Sequence, residues 1–181
     1  DGRVKMVEGL VGEPRDLTAF TKVVEFNDEA ALEAALAPGD VACVLAEPVM
    51  TNIGMVLPAP GFLEKLRVLT EKTGTLLILD ETHTLSSGPG GYTREAGLRP
   101  DGLVFGKPIA GGIPAAAYGF STAVAMRIRE YLASRGEGRS GIGTTLSGSK
   151  IQIALIKTVL KTFFTPDAFM PLINRARRLE K

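Results

Sequence analysis

The chain has 181 residues, 45% of them hydrophobic, and its 21 Lys and Arg against 20 Asp and Glu leave a formal net charge of +1. That length suits one domain with a sizeable core. The balanced charge excludes a nucleic acid or a membrane surface as the main partner, since either calls for a basic excess. No apolar run reaches transmembrane length and no signal peptide opens the chain.

Residues 1–21 carry little pattern beyond a loop at Pro14, Arg15 and Asp16. Residues 22–26, KVVEF, read as a short edge strand. Asn27 and Asp28 then cap a helix over residues 29–36, which Pro38 and Gly39 end. Residues 41–46, VACVLA, form the next buried strand. The single cysteine, Cys43, lies inside that run and is expected to be a small buried side chain, with no disulfide framework and a reducing cytoplasm as its setting. Glu47 and Pro48 are the strand's polar exit.

After a loop at residues 58–61, Phe62, Leu63, Leu66 and Leu69 recur at helical spacing, and Gly74 closes the helix. Leu76, Leu77, Ile78 and Leu79 follow as an uninterrupted apolar run. Strand, helix, strand in this order implies a right-handed parallel crossover. The second strand delivers Asp80, Glu81, Thr82 and His83 at its carboxyl end. A third short run, residues 103–105, ends at Gly106 and Lys107. In open α/β sheets ligands sit just beyond the carboxyl ends of the strands, so Asp80 and Lys107 stand where chemistry is expected.

Residues 86–91 form a glycine-rich loop that fails the dinucleotide fingerprint, because Thr93 stands where a third glycine is needed. Residues 114–120 read as another strand, and Ser121 or Thr122 caps a helix through Tyr131. Residues 134–143 read as loop. Residues 149–163 read as a helix with Ile151, Leu155, Thr158, Val159 and Thr162 on one face. Thr165 and Pro166 start a last helix.

Glu47, Pro48, Val49, Asn52 and Gly54, then Pro60, Gly61, Phe62 and Leu63, then Leu79, Asp80 and Glu81, then Pro100, Asp101, Gly106, Lys107, Gly111, Gly112, Pro114, Tyr118 and Gly119, and last the run GTTLSG at 143–148, occur together in a familiar order. The chain from Val41 onward resembles the class III, fold-type I aminotransferases dependent on pyridoxal phosphate (PLP), and most closely their glutamate-1-semialdehyde aminomutase branch. The resemblance implies an α/β, three-layer αβα large domain with a mostly parallel sheet, here incomplete. Residues 1–164 would be part of that PLP-binding domain. Residues 165–181 would start a linker helix toward a small C-terminal domain. The opening at Asp1, without Met, reads as an internal fragment or a truncated gene product.

The resemblance assigns Lys107 the Schiff base with the cofactor and the 1,3-prototropic shift that moves the amino group. From position alone, a solvated surface lysine is the alternative. Asp80 would keep the pyridine nitrogen protonated; its other reading is an aspartate capping the strand-end loop. Thr82 would pack on the cofactor ring. His83 would hydrogen-bond the phenolic oxygen or support residues that touch the cofactor; relatives commonly carry a valine and then glutamine or methionine at these two positions. Thr145 would bind the phosphate of a neighbouring subunit, implying a homodimer with a shared site. Thr145 also reads as a helix cap, while the P-loop reading of residues 143–150, GTTLSGSK, fails because Ser149 separates Gly148 from Lys150. Asn52, with Glu47, would meet substrate or support residues that do, and Asn52 favours the aminomutase-like members; it also reads as a plain loop residue. No metal is expected. The implied substrates are a small amino donor and a keto or aldehyde acceptor. Transaminase, aminomutase and inactive remnant are the three functional expectations.

Overall fold

The computed structural model describes residues 19–134 and 147–179. Its centre is a four-stranded sheet in the order β1-β2-β3-β4, with β1 at Cys43–Ala46, β2 at Leu76–Asp80, β3 at Gly102–Phe105 and β4 at Ala117–Phe120. β1, β2 and β3 run parallel, and β4 pairs antiparallel to β3. This is the expected α/β, mostly parallel arrangement.

Two helices cover one face. α1, Glu29–Leu36, starts where the Asp28 carboxylate accepts the amide of Ala31, satisfying one of the donors a helix start leaves open. α2, Phe62–Thr73, buries Phe62, Leu63, Leu66 and Thr70 along one stripe. It ends at Gly74, φ +71, where Thr75 N bonds Thr70 O and Gly74 N bonds Glu71 O. That pair of bonds needs a left-handed residue just past the helix, a conformation glycine adopts without strain. Leu32 and Leu36 of α1, the α2 stripe, and Leu77 and Leu79 of β2 form one core cluster. Each such side chain contributes about 1.5–3 kcal/mol by leaving water. Lys65 of α2 also reaches Glu29 and Glu33 of α1, both at 2.8 Å.

The other face of the sheet is open among the described residues. Register puts Cys43 and Leu45 beside Leu76 and Ile78, then Gly102 and Val104, then Phe120 and Tyr118. Cys43 is therefore exposed rather than buried: side chains alternate along a strand, and its parity turns it away from α1 and α2. Leu45 is 67% exposed for the same reason.

Three further expectations give way. Residues 22–26 form no strand; they are held by side chains instead, with Phe26 edge-on to Phe62 at 5.1 Å and Lys22 paired to Asp40 at 2.7 Å. The loop expected at 86–91 is shorter, residues 88–90, set between a 3-10 turn at Thr84–Ser87 and the short α3 at Gly91–Glu95. The strand expected over 114–120 begins only at Ala117.

The later helices are α4, Thr122–Ser134, α5, Lys150–Thr162, and α6, Pro166–Leu179. Ser121 Oγ accepts the amide of Val124 and Thr165 Oγ1 that of Ala168, as their cap residues predict. α5 lacks the apolar face read from sequence. Only Val159 is buried, Ile151 is 70% exposed, and the Thr158 and Thr162 hydroxyls bond back to the helix carbonyls of Ala154 and Thr158. The helix packs against the turn that follows β3 rather than against the sheet, and Gln152 Nε2 donates to Pro114 O at 2.9 Å.

Candidate active site

The site is built at the carboxyl ends of β2 and β3. Asp80 is the last residue of β2 and pairs in register with Val104 of β3. β3 ends at Phe105, Gly106 follows, and Lys107 opens a 3-10 turn over Lys107–Ala110. The parallel pairing thus brings an acid and an amine to one edge of the sheet, as expected from the two apolar runs.

Asp80 shares the open face of the sheet. Its Oδ1 accepts the backbone amide of Thr82 at 2.8 Å. Oδ2 has no protein donor among the described residues. One oxygen therefore caps the strand-end turn, and the other is free for a ligand. The Oδ1 bond is the strand-end cap that the sequence offered as the other reading of Asp80.

Thr82 and His83 lie in the turn after Asp80. A Cβ at Gly106 would stand 3.6 Å from the Thr82 methyl and 3.7 Å from its hydroxyl, so Thr82 lines the floor between the two strand ends. His83 Nε2 is in direct hydrogen-bond contact with Lys107 Nζ. The imidazole thus meets the amine itself, a partner the sequence did not indicate. Lys107 is exposed rather than desolvated, and its backbone is left-handed, φ +48.

Glu81 is not at the ligand edge where it was expected with its neighbours. Strand alternation turns it to the side opposite Asp80, and it is 1% exposed. Its Oε2 accepts Thr84 Oγ1 at 2.6 Å and the Tyr92 amide at 3.1 Å, and its Oε1 accepts the Thr93 amide at 2.5 Å. The signal in the sequence was an acid at a buried strand end with a threonine three residues on and glycines before the next helix.

Glu47 directly follows β1, and Asn52 lies in the loop closed by the Met50–Val56 bridge. Glu47 Oε2 accepts the Thr51 hydroxyl at 2.9 Å, and Asn52 is exposed at the loop tip. No recorded contact joins either to Asp80 or Lys107. Thr145 lies outside the described residues. A recess of about 770 Å³ is lined by Phe20 to Phe26, Leu36 and β1, and contains none of the expected site residues. No group of three His, Cys, Asp or Glu among the described residues could hold a metal ion, and no helix there is long and apolar enough to cross a membrane.

The donor set fits a pyridine-aldehyde cofactor. An amine is available for a carbonyl carbon, a carboxylate oxygen is free for a ring nitrogen, and small residues, Thr82 and Gly106, leave room between them. Comparison with known proteins agrees. Glutamate-1-semialdehyde 2,1-aminomutase of Hydrogenobaculum sp. (strain Y04AAS1) is 36% identical over 174 residues, which are 94% of this chain and 40% of that protein. The aminomutase of Myxococcus xanthus (strain DK1622) is 38% identical over 173 residues, 93% of this chain and 38% of the relative. The chain therefore spans about two-fifths of the length of these relatives.

Among solved structures, a glutamate-1-semialdehyde aminomutase from Pseudomonas aeruginosa PAO1, a lysine-to-alanine variant in complex with PMP, is 49% identical with a TM-score of 0.80, over 87% of this chain and 36% of that one. A β-phenylalanine aminotransferase from Variovorax paradoxus is 29% identical with a TM-score of 0.74, over 86% of this chain and 36% of that one. These neighbours are fold-type I enzymes, and the cofactor of the family is pyridoxal phosphate. Residues 17–181 match the family described as aminotransferase class-III, and the chain belongs to it.

Proposed function

We propose that these residues are the cofactor-binding part of a PLP-dependent aminotransferase or aminomutase, with Lys107 as the residue of covalent attachment and proton movement. The observation that carries this reading is the meeting of Lys107 and His83 at the ends of the two paired parallel strands, the first of which ends at Asp80. When bound, PLP supplies an electron sink for carbanion chemistry at the substrate's amino-bearing carbon. The chain's residues do the rest. Asp80 Oδ2 would hold the proton of the ring nitrogen, Thr82 would bound one side of the ring, and Lys107 Nζ would supply the amine for covalent attachment and carry the proton. His83 keeps the amine oriented from the turn above.

Between the two activities, relatives named as 2,1-aminomutases favour the mutase, which returns the amino group from C2 to C1 of one substrate and needs no separate acceptor. In our reading residues 1–164 belong to the cofactor domain and α6 leads out of it. The complete enzyme is a cytoplasmic homodimer in which Thr145 contacts the partner's cofactor phosphate. Thr145→Ala would then weaken PLP affinity by about 1.5–3 kcal/mol, the range of a hydrogen bond to a charged group.

The test uses the full-length protein. Borohydride reduction after PLP addition, followed by peptide mass spectrometry, should place the pyridoxyl group on Lys107. A label on Lys150 instead would end the assignment. Supplying glutamate 1-semialdehyde with and without a keto acid separates the activities: turnover without acceptor supports the mutase, and strict dependence on acceptor supports the transaminase.

A further inference from the structure

Glu81 is fully buried and charged chemistry is not asked of it, yet it gathers more of the site's backbone than any other residue. Its amide donates to Val104 O at 2.8 Å, tying the end of β2 to β3. Its carbonyl accepts the Leu85 amide at 2.9 Å, closing the turn after β2. Its carboxylate takes the Thr84 hydroxyl and the Tyr92 and Thr93 amides. A buried carboxylate is costly unless it is hydrogen-bonded, and here three donors compensate it. Thr82 and His83 are the two residues between the points so fixed, Glu81 and Thr84. They are also the two that face Gly106 and Lys107.

Gly91 shows how closely the carboxylate is cradled. A Cβ there would lie 2.8–2.9 Å from the carboxylate atoms of Glu81, and the backbone is left-handed, φ +71. Space and conformation both demand glycine at that position.

From this geometry we infer that Glu81 is a positioning residue for the reaction: it sets where Thr82 and His83 stand against Lys107, acting through the two-residue turn and touching no reactant itself. The inference rests on the reading of Lys107 as the attachment residue. It predicts that loosening the carboxylate cage displaces the His83 ring from the amine before it unfolds the protein. A displacement on the order of 1 Å at a reacting group can cost about a hundredfold in rate.

The experiment uses the full-length protein and the pair Thr84→Val and Thr84→Ser, with Glu81→Gln beside them and Leu66→Ala as a control that loses stability in the core away from the site. Valine removes the hydroxyl donor at nearly constant shape, and serine keeps it. Two readouts are taken without turnover: the NMR shifts of the His83 imidazole in cofactor-free protein, and the rate at which Lys107 acquires borohydride-trapped pyridoxyl label. Expected are a displaced His83 signal and about tenfold or slower labelling in Thr84→Val and Glu81→Gln, with Thr84→Ser and Leu66→Ala close to the parent. Unchanged His83 shifts in folded Thr84→Val, or an equal loss in Leu66→Ala, would overturn the inference. A parent labelled at another lysine would overturn the Lys107 reading instead, while the His83 shifts would still report whether Glu81 holds the turn.

Discussion

Arg67 of α2 holds Asp101 at 2.7 Å, and the same carboxylate oxygen accepts the Leu77 amide at 2.9 Å. One acid thus fastens a covering helix to two neighbouring strands at the end opposite the site. The guanidinium also lies 3.1 Å from Glu71. Burial pushes the Asp101 carboxyl up, but the Leu77 amide and the Arg67 guanidinium outweigh it and hold the group below its ordinary 3.8. A carboxyl held low in the folded state contributes stability that is complete above its ordinary value and is lost as pH falls through the folded value. Asp101→Asn should therefore cost about 1–3 kcal/mol at neutral pH, with the deficit shrinking in acid below 3.8. Urea melts of parent and variant across that range measure it. A pH-independent deficit would mean that the carboxylate charge is not involved.

Asp80→Asn should leave PLP bound and lower turnover severely. The amide keeps an acceptor for the Thr82 N–H, so the turn survives, but it cannot hold the ring-nitrogen proton on which the electron sink depends. Absorbance of the bound cofactor together with kcat decides the matter: near-parental kcat with PLP retained rules out this role for Asp80.

Lys107 carries φ +48, a conformation that costs a side-chain-bearing residue about 1–2 kcal/mol and glycine almost nothing. Both Lys107→Ala and Lys107→Gly remove the amine and should abolish labelling there. The glycine variant should be more stable than the alanine variant by about 1 kcal/mol. Equal stabilities in thermal melts would show that the left-handed turn relaxes once the lysine is gone.

Leu66→Ala should destabilise by about 2–5 kcal/mol, since Leu66 is 2% exposed in the cluster between α1, α2 and β2 and the space it leaves is closed in by packed neighbours. Denaturant titration checks the magnitude. A loss under about 1 kcal/mol would mean the cluster collapses onto the smaller residue.

Much of the fold was legible because local signals agreed with it. The stripe Phe62, Leu63, Leu66 and the glycine at 74 marked α2 closely, and Asp28 marked the start of α1. The apolar runs at β2 and β3 put Asp80 and Lys107 on one edge. The failures have common causes. The run containing Cys43 looked buried because composition does not reveal strand parity, and parity decides which face a side chain takes. Residues 22–26 had strand-like composition, yet their backbone pairs with no strand. α5 read as amphipathic, while Val159 is its one buried residue. Glu81 was placed with Asp80 by adjacency, although adjacent residues on a strand point opposite ways. The His83–Lys107 contact joins residues separated by 24 positions, so no local pattern announces it.

The sheet face left open among the described residues has a practical consequence for anyone handling this chain by itself. Leu45, Tyr118 and Phe120 are 67%, 55% and 40% exposed there, in one surface with Cys43. A contiguous oily patch of this kind drives colloidal association. Little electrostatic repulsion opposes it, because the net charge is +1 and the isoelectric point is about 8.0. Turbidity should therefore rise with concentration near neutral pH and be relieved by moving well away from the isoelectric point, and Leu45→Lys should raise the solubility limit while leaving the α1–α2 core untouched.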